Sequence, residues 1–423
     1  MAKNEISVTA APIALQTRTA SAGSRPVPGA AFAASLGAVT LIGPLAIHLF
    51  LPVMPAVKSS FGMSDALVEL TFSITLITMA VVTLFYGSLS DRFGRRPVLL
   101  AGLVLFVIGS GVSALAASVP ALIAGRLVQA VGAGCGLTLT RAMARDAYGP
   151  EVLVKAIAYL TMAYTIGPMI APPLGGVLMD TLGWRSAFWF ALLTGVGITA
   201  AAYFILFETR EPAGAAGRTP GVFHHYGVLI AEPRFVAFVL QSGFMSASFF
   251  AIAAASPFLM KDLLGRSATE YGLYFMCFPL GYCSGNLISS RLSGRIAIET
   301  MVLLGSALCA LVIATQSLLL LAGFLTPLLI FAPGGMISFA QGLSLPNAQA
   351  GAMRVAPALA GTAAGLGVFF QMFLSAASAE TYGLFADGTV RPMIAISFSS
   401  SLFALAAALL AFRKRRAVEP SRP

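Results

Sequence analysis

The chain has 423 residues, of which 58% are hydrophobic and only 10% are charged, with a formal net charge of +10 and a mean hydropathy of +0.88. Soluble proteins carry about a quarter charged residues, so this composition excludes a soluble globular fold and indicates an integral membrane protein. Apolar runs such as 301–335 show no alternation of polar and apolar residues, which favours membrane-spanning helices over a β-barrel.

The predicted elements begin with a tail, residues 1–30, which is rich in Ala, Ser, Thr and Pro and is interpreted as disordered and cytoplasmic. A transit peptide is the alternative for this tail. Twelve apolar runs follow, each long enough to cross a bilayer as a helix. Their predicted limits are 31–52, 67–87, 98–117, 121–142, 154–178, 186–207, 235–256, 269–290, 300–318, 320–344, 358–380 and 392–412. The boundary near 318–320 lies in almost continuous apolar sequence.

The longest predicted internal loop, residues 208–234, divides six spans from six. We therefore expect an all-α membrane fold of two pseudo-symmetric six-helix bundles, an N-terminal one at 31–207 and a C-terminal one at 235–412. A basic cytoplasmic tail at 413–423 follows. Halves of similar length are typical of transporters built from structural repeats.

The basic residues predict the topology. Of the 26 Lys and Arg, twenty lie on the side that both termini share, five lie on the other side, and Arg126 lies inside a span. Basic residues accumulate on the cytoplasmic side of a membrane, so both termini are predicted to be cytoplasmic. The positive charge is thereby explained without a nucleic-acid partner.

The predicted loop between spans two and three concentrates charge in the string "GSLSDRFGRRPVLL", residues 87–100. An ordinary basic cytoplasmic loop is one explanation. The other is that the string resembles the loop signature of the major facilitator superfamily. The matching residues are Gly87, Leu89, Ser90, Asp91, Arg92, Gly94, Arg95 and Arg96.

Further strings extend this resemblance over the first six spans. In span four, "GRLVQAVGAG" is similar to the second motif of the superfamily at Arg126, Gln129 and Gly132. In span five, "YTIGPMIAPPLGG" resembles the antiporter motif of drug exporters. "LPVMP" at the end of span one and "WRSAFWF" at the start of span six are similar to the Bcr/CflA group of bacterial drug–proton antiporters. The second half resembles the family mainly by its number of spans.

The resemblance implies roles for residues of the charged loop. Asp91 would cap the start of span eleven near 358–362 when the cytoplasmic end is closed, and Arg95 would pair with Asp146. A carboxylate at a helix N-terminus is stabilising by up to about 1 kcal/mol. These contacts would hold the two halves together and would not bind substrate.

The span-five string combines small residues with prolines. Its glycines permit close contact between helices, and its prolines remove backbone hydrogen bonds and favour a kink. Tight packing alone is one explanation, while the resemblance implies that the string seals the cavity against proton leak and favours export. The residues concerned are Gly167, Pro168, Pro172, Pro173, Gly175 and Gly176.

Arg126 is predicted to lie within span four, and intramembrane arginines usually face a cavity or a partner. The alternative is that its side chain extends to the membrane interface. The Bcr/CflA pattern places an acidic residue in span one where this chain has His48. His48 and Glu69 are therefore both candidate proton carriers near Arg126, and a neutral packing role is the alternative for His48. Asp180, just beyond span five, is a further acidic candidate.

Spans one, four, seven and ten line the central cavity in the family, which makes Gln129, Gln241 and Gln341 candidate cavity residues beside His48, Glu69 and Arg126. Asn286 and Gln371 are polar at similar depth. Phe249 and Phe250 are possible aromatic contacts or plain packing residues. An apolar pocket with few polar groups suits amphipathic drugs.

We therefore expect a secondary transporter and not an enzyme, located in a bacterial inner membrane, surrounded by lipid and acting as a monomer. The expected function is proton-coupled export of amphipathic drugs by alternating access, and export of a small metabolite or amino acid is the alternative. A receptor without transport activity is a third class, which the charged loop and the antiporter string disfavour. No P-loop string occurs in the sequence, and no cofactor or metal is expected.

Overall fold

The computed structural model describes residues 28–210 and 222–418, which form α-helices joined by short loops and contain no extended β-strand. The predictions for residues 1–27, 211–221 and 419–423 lie outside the described residues. The helices of the first half are α1 (Ala30–Thr40), α2 (Ile42–His48), α3 (Met54–Phe61), α4 (Asp65–Phe93), α5 (Arg95–Ala114), α6 (Val119–Ala133), α7 (Cys135–Ala147), α8 (Pro150–Leu182) and α9 (Arg185–Ile205).

The second half repeats this pattern of long helices after a short helix that follows the gap in the described residues. Its helices are α10 (Val222–Ile230), α11 (Pro233–Phe258), α12 (Ala268–Phe275), α13 (Cys277–Leu292), α14 (Ile298–Leu321), α15 (Pro327–Val355), α16 (Ala360–Phe385) and α17 (Arg391–Val418). The predicted loop at 208–234 thus contains α10, and α17 extends into the predicted tail at 413–423.

Eleven helical segments of the described chain are long and apolar enough to cross a membrane, from Ala30–Phe61 to Arg391–Arg413. They match eleven of the twelve predicted spans and confirm the all-helical membrane fold. The predicted eighth span, 269–290, consists of α12 and α13, which meet at Met276. Each is shorter than the roughly 20 residues that cross a bilayer, although the two together cover 268–292.

The predicted boundary between spans nine and ten, near 318–320, is wrong. α14 continues to Leu321, and the chain turns at 322–326, where Gly323 has a φ of +91°. Thr326 then caps α15 by accepting a hydrogen bond from the Leu329 N–H at 3.2 Å. Hydropathy does not mark this turn because Leu321, just before it, and Phe324, within it, are both apolar and exposed.

The predicted end of span one at residue 52 is also too early. Pro52 and Pro55 lie in the first turns of short helical pieces, where a missing N–H removes no helical hydrogen bond. The segment continues through α3 to Gly62, whose φ of +62° ends it. The prolines therefore interrupt this span without terminating it.

Glycines allow neighbouring helices of one half to approach closely. Gly109 of α5 faces the backbone of Gln129 on α6, and Gly281 of α13 faces the backbone of Gly335 on α15. The outer surface carries large apolar side chains, including Leu182 at 73% and Phe204 at 83% exposed. Such a surface suits contact with lipid.

The two ends of the helix bundle differ in charge. We call the end that contains Gly94, Tyr148 and Arg354 the basic end, and the end that contains the turns 62–64, 183–184, 264–267, 322–326 and 386–390 the opposite end. The ring of Phe32 stacks on Phe207 with centroids 4.7 Å apart, so α1 begins at the basic end. The two halves meet where α4 packs against α16 and where α8 packs against α12.

Candidate functional site

The contact between α8 and α12 joins the two halves at the opposite end. A Cβ at Gly176 of α8 would overlap the backbone of Ala268, and a Cβ at Gly272 of α12 would overlap the backbone of Pro172. Pro168, Pro172 and Pro173 all lie inside α8, which remains one helix over Pro150–Leu182. The span-five string therefore supplies a backbone-to-backbone contact between the halves.

Asp180 strengthens the same contact. Its carboxylate accepts hydrogen bonds from the N–H groups of Ala268 at 3.3 Å and Thr269 at 2.8 Å. These amides lie in the first turn of α12, where helical N–H groups have no acceptor of their own and a negative charge is favoured. Asp180 thus fixes the start of a helix of the second half from the first half.

The other two glycines of the span-five string pack inside the first half. Gly167 faces the ring of Pro44 on α2, and Gly175 lies against the Leu49 carbonyl oxygen, which is 2.7 Å from a Cβ built there. Both contacts place α8 directly against the interrupted part of span one.

The contact between α4 and α16 carries two acidic residues. The Ser73 hydroxyl donates a hydrogen bond to Glu380 Oε2 at 2.7 Å. Glu69 is fully buried, and neither of its carboxyl oxygens has a hydrogen-bond partner in the described part of the chain. A Cβ at Gly383 would lie 2.6 Å from the Cβ of Glu69, so the backbone of α16 lies directly against this side chain.

Aromatic rings line the interface beside these contacts. Phe250 of α11 lies 6.2 Å from Phe72 of α4, centroid to centroid, across the two halves. Phe249 packs edge-on against Phe250 at 5.1 Å and against Phe278 at 5.1 Å. Phe249 and Phe250 are only half-buried, so they present apolar surface where the halves face each other.

His48 lies beside this aromatic group. Its ring lies 5.9 Å from the ring of Phe275 on α12, and the side chain is 8% exposed. Its Nδ1 has no hydrogen-bond partner among the described residues. His48 therefore lies at the interface between the halves, next to the α8–α12 contact.

Arg126 lies inside the first half and is 1% exposed. Its guanidinium donates to the carbonyl oxygens of Thr71 at 3.2 Å and Ala46 at 2.9 Å, and to Gln129 Oε1 at 2.7 Å. The ring of Phe50 covers it at 4.4 Å. The side chain thus reaches neither the membrane interface nor, in the described chain, a carboxylate.

The predicted polar residues of the second half are held within that half. Gln241 donates to the Ser306 hydroxyl at 2.9 Å, and Gln341 donates to the Met245 carbonyl oxygen at 2.6 Å. Gln371 donates to the Ser246 hydroxyl at 2.7 Å. The side chains of Ser306 on α14, Gln341 on α15 and Gln371 on α16 therefore all bond to α11, which also carries the half-buried phenylalanines.

The predicted charged loop is helical apart from Gly94, because α4 continues to Phe93 and α5 begins at Arg95. At the basic end this charged loop forms a network around Arg95. Its guanidinium contacts Asp91 at 2.6 Å, Asp146 at 2.8 Å and the Ser90 hydroxyl at 2.6 Å. The predicted Arg95–Asp146 pair is therefore present. The Asp91 side chain is 63% exposed, and its ion-pair partner here is Arg95 of the same half.

Glu208, which no motif of the sequence marks, completes this network. Its carboxylate accepts hydrogen bonds from the N–H groups of Arg95 and Arg96, both at 3.0 Å, and so caps α5. Gly94 permits this approach, because its φ is +100° and a Cβ there would lie 2.7 Å from Glu208. The Arg96 guanidinium donates to the Tyr203 carbonyl oxygen at 2.6 Å.

Three glycines near the basic end have open space beside them. A Cβ built at Gly87 on α4, or at Gly361 or Gly365 on α16, would meet no atom within 4 Å. At the same end, the carbonyl oxygen of Arg92 accepts a hydrogen bond from the Arg210 guanidinium of the same half at 3.1 Å. The hydrogen bonds and glycine contacts between the halves described above lie toward the opposite end.

The structure brings together some of the predicted site residues. Arg126 and Gln129 are bonded to each other, while Gln241 and Gln341 lie in the other half and Glu69 faces α16. Glu380 was missed because it lies at the predicted limit of its span. Asp180 was an acidic candidate, but its contact was not predicted because its partners are backbone amides of a distant helix. Within 28–210 and 222–418, no three His, Cys, Asp or Glu side chains are placed to hold a metal ion.

The chain matches one protein family and is similar to two bacterial proteins of known sequence. The model of the Major Facilitator Superfamily matches residues 36–379. The chain is 30% identical to the uncharacterized MFS-type transporter YdgK of Bacillus subtilis (strain 168) over 295 residues, which cover 68% of this chain and 72% of that protein. It is 31% identical to the multidrug resistance protein MdtL of Escherichia coli O81 (strain ED1a) over 234 residues, which cover 55% of this chain and 59% of that protein.

Solved structures share the fold. A bacterial homologue of the human lysosomal transporter Spinster, in an inward-facing and unoccupied conformation, superimposes with a TM-score of 0.74 at 16% identity over 94% of this chain and all of that chain. A D-xylose–proton symporter gives a TM-score of 0.73 at 14% identity over 90% of this chain and 97% of that chain. At these identities the likeness shows the fold alone.

Proposed function

Because the chain belongs to the Major Facilitator Superfamily and is a membrane transporter, we propose that it exports amphipathic drugs or toxic compounds by proton antiport. The observation that carries this proposal is the half-buried pair Phe249 and Phe250, which offers aromatic surface between the two halves. Apolar pockets with few polar groups bind amphipathic molecules. The 31% identity with a multidrug resistance protein supports the same substrate class.

Transport would proceed by alternating access, with the basic end facing the cytoplasm. The structure then represents the state that is closed at the periplasmic end by the α8–α12 and α4–α16 contacts. Opening that end requires these contacts to separate and the cytoplasmic ends of the halves to approach. In this proposal the span-five string, Gly167 to Gly176 with its prolines, keeps protons from leaking through the closed end.

Asp91 would form the cytoplasmic contact in the second state. α16 begins after Leu359, which provides no side-chain cap. The Ala360 N–H already donates to the Pro357 carbonyl oxygen, so the donors proposed here are the following N–H groups of the first turn. We propose that Asp91 moves from Arg95 to these donors when the cytoplasmic end closes, while Arg95 keeps its bond to Asp146. The charged loop, with Gly87, Arg92, Gly94 and Arg96, would thus control closure.

The substrate and proton site would lie among His48, Glu69, Arg126, Gln129, Gln241 and Gln341. The interface position of His48 and Glu69 supports proton binding there, because a group that contacts both halves responds to their separation. The hydrogen bonds of Arg126 and Gln129 within one half support a role in holding α2, α4 and α6 in place.

The test is drug accumulation in an efflux-deficient bacterium that expresses the chain, measured for phenicols, fluoroquinolones and cationic dyes with and without a protonophore. We expect lower accumulation, abolished by the protonophore. Asp91→Asn should abolish export, and Asp387→Asn, in an exposed loop at the opposite end, should leave it unchanged. Unchanged accumulation of every drug, with the protein present in the membrane, would contradict drug export and favour a metabolite exporter.

A pH profile assigns the proton carrier. Glu69→Gln should flatten the dependence of export on external pH if Glu69 carries the proton, because the amide cannot bind the proton that the carboxylate binds. His48→Ala should flatten the same dependence if the imidazole carries the proton. Unchanged profiles in both variants would exclude both residues as proton carriers.

A further inference from the structure

Two carboxylic acids from opposite halves face one contact at the opposite end. Glu69 and Ser73 lie one turn apart on α4, and Glu380 and Gly383 lie about one turn apart on α16. Ser73 is bonded to Glu380 at 2.7 Å, and Gly383 lies against Glu69. The side chains of Glu69 and Glu380 therefore occupy the same contact between the halves.

Glu69 has neither a hydrogen-bond donor nor an ion-pair partner among the described residues. It is fully buried, and both of its oxygens lack a hydrogen-bond partner there. Glu380 of the other half lies near enough to act on Glu69 electrostatically. A buried carboxylate without a donor is costly, and two adjacent carboxylates do not ionise together readily.

Among the described residues, the basic side chains Lys58 and Arg126 of the first half are bonded to groups other than this pair. On the first half, Lys58 of α3 is paired with Asp65 at 2.5 Å, and Arg126 of α6 bonds to neutral oxygens. The other titratable groups that act electrostatically on Glu69 are Asp65 at the start of α4, Tyr271 of α12 and Tyr382 of α16, and Asp262 after α11 acts on Tyr382. A proton is the counter-charge that fits such a site.

We propose that Glu69 and Glu380 form one proton-binding site shared by the two halves, and that a bound proton holds the opposite end closed. The unpartnered, fully buried carboxyl of Glu69 is the observation that distinguishes this site from a surface cluster of acidic residues. Ser73 keeps Glu380 in place by donating to one of its oxygens, which leaves the rest of the carboxyl free to face Glu69.

This proposal deepens the proposed function and rests on it in one respect, namely that protons drive transport. A proton taken up from the periplasm allows the two acids to come together, so that end closes. When the proton leaves toward the cytoplasm, two negative charges face each other and repel, which favours reopening of the periplasmic end. Proton release and opening are thereby coupled through the same pair of residues.

The experiment measures the separation of the halves directly and needs no substrate. Spin labels are attached at cysteines introduced for Leu115 and Phe324, which lie exposed at the opposite end of the first and second half. The four native cysteines are replaced by alanine. We expect the label-to-label distance in the purified full-length protein to be short at acidic pH and to lengthen at alkaline pH.

The double variant Glu69→Gln and Glu380→Gln should lose this pH dependence and stay at the short distance, because two amides carry no charge at any pH. Glu270→Gln is the matched control, since Glu270 lies at the same end, is part-exposed and pairs with Arg266; it should keep the full dependence. A pH-independent distance in the protein with both acids, or a normal dependence in the double variant, would overturn the proposal.

A second measurement covers the case that the double variant does not fold. In the protein with both acids, the infrared band of a protonated carboxyl group should disappear over the same pH range in which the distance lengthens, and Glu380→Gln alone should shift that range. Absence of the band in the closed state would overturn the proposal. A pH-dependent distance without drug export would refute only the drug substrate, whereas proton-driven export unaffected by Glu380→Gln would refute only the shared site.

Discussion

Arg126 is a buried cation whose hydrogen bonds go entirely to neutral oxygens in the described structure. It connects α6 to the carbonyl groups of α2 and α4 at Ala46 and Thr71. The α2 carbonyl lies just before the interrupted part of span one, where regular helical bonding stops. A planar guanidinium can reach several acceptors at once, which a lysine ammonium cannot do in the same geometry.

Arg126→Lys should therefore lower the stability of the protein. Leaving buried acceptors unpaired costs about 1–3 kcal/mol, so we expect a lower melting temperature in detergent. Arg145→Lys is the control, because the Arg145 side chain is 65% exposed. Equal melting temperatures for the two variants would show that the hydrogen bonds of Arg126 add no stability.

At the scale of the element, the start of α5 depends on Glu208 from beyond the end of α9. The carboxylate bonds two N–H groups that the helix leaves unpaired. Glu208→Ala should speed hydrogen exchange at the amides of Arg95 and Arg96 and lower stability by about 1–2 kcal/mol. Glu270→Ala should change neither, and unaltered exchange in Glu208→Ala would contradict the capping role.

The contact between α8 and α12 depends on the absence of a side chain. Gly176→Val would place carbon atoms where the Ala268 backbone lies, so the opposite end should no longer close. We expect a long label-to-label distance at all pH values and loss of export. Gly197→Val is the control, because a Cβ there meets no atom within 4 Å. A short label-to-label distance in Gly176→Val would show that the opposite end still closes when position 176 carries a side chain.

At the scale of the whole molecule, the orientation in the membrane is the property that charge alone predicts. A fluorescent protein fused to the C-terminus should fluoresce, and alkaline phosphatase fused after Gly388 should be active, because phosphatase folds only outside the cytoplasm. Phosphatase fused after Arg96 should be inactive. The reverse pattern of activities would show that the basic end faces away from the cytoplasm.

The sequence predicts the fold more completely than the site. Runs of apolar residues report burial in lipid, so eleven spans are evident, whereas the turn at Gly323 and the break at Met276 do not interrupt hydropathy. The Arg95–Asp146 pair was predicted because a family motif includes it. The contacts of Glu208, Asp180 and Glu380 were not, since each acts on backbone or side chains far away in sequence, and only the packing of helices brings those partners together.

The α8–α12 contact has a thermodynamic consequence. The backbones that meet there belong to Gly176, Gly272, Ala268, Thr269, Pro172 and Pro173, and all of these except Thr269 lose essentially no rotamer freedom when they are buried. Closing this contact therefore immobilises few side chains, and opening it releases little side-chain entropy. The closed and open forms can then lie close in free energy, which leaves a single bound proton enough to decide between them.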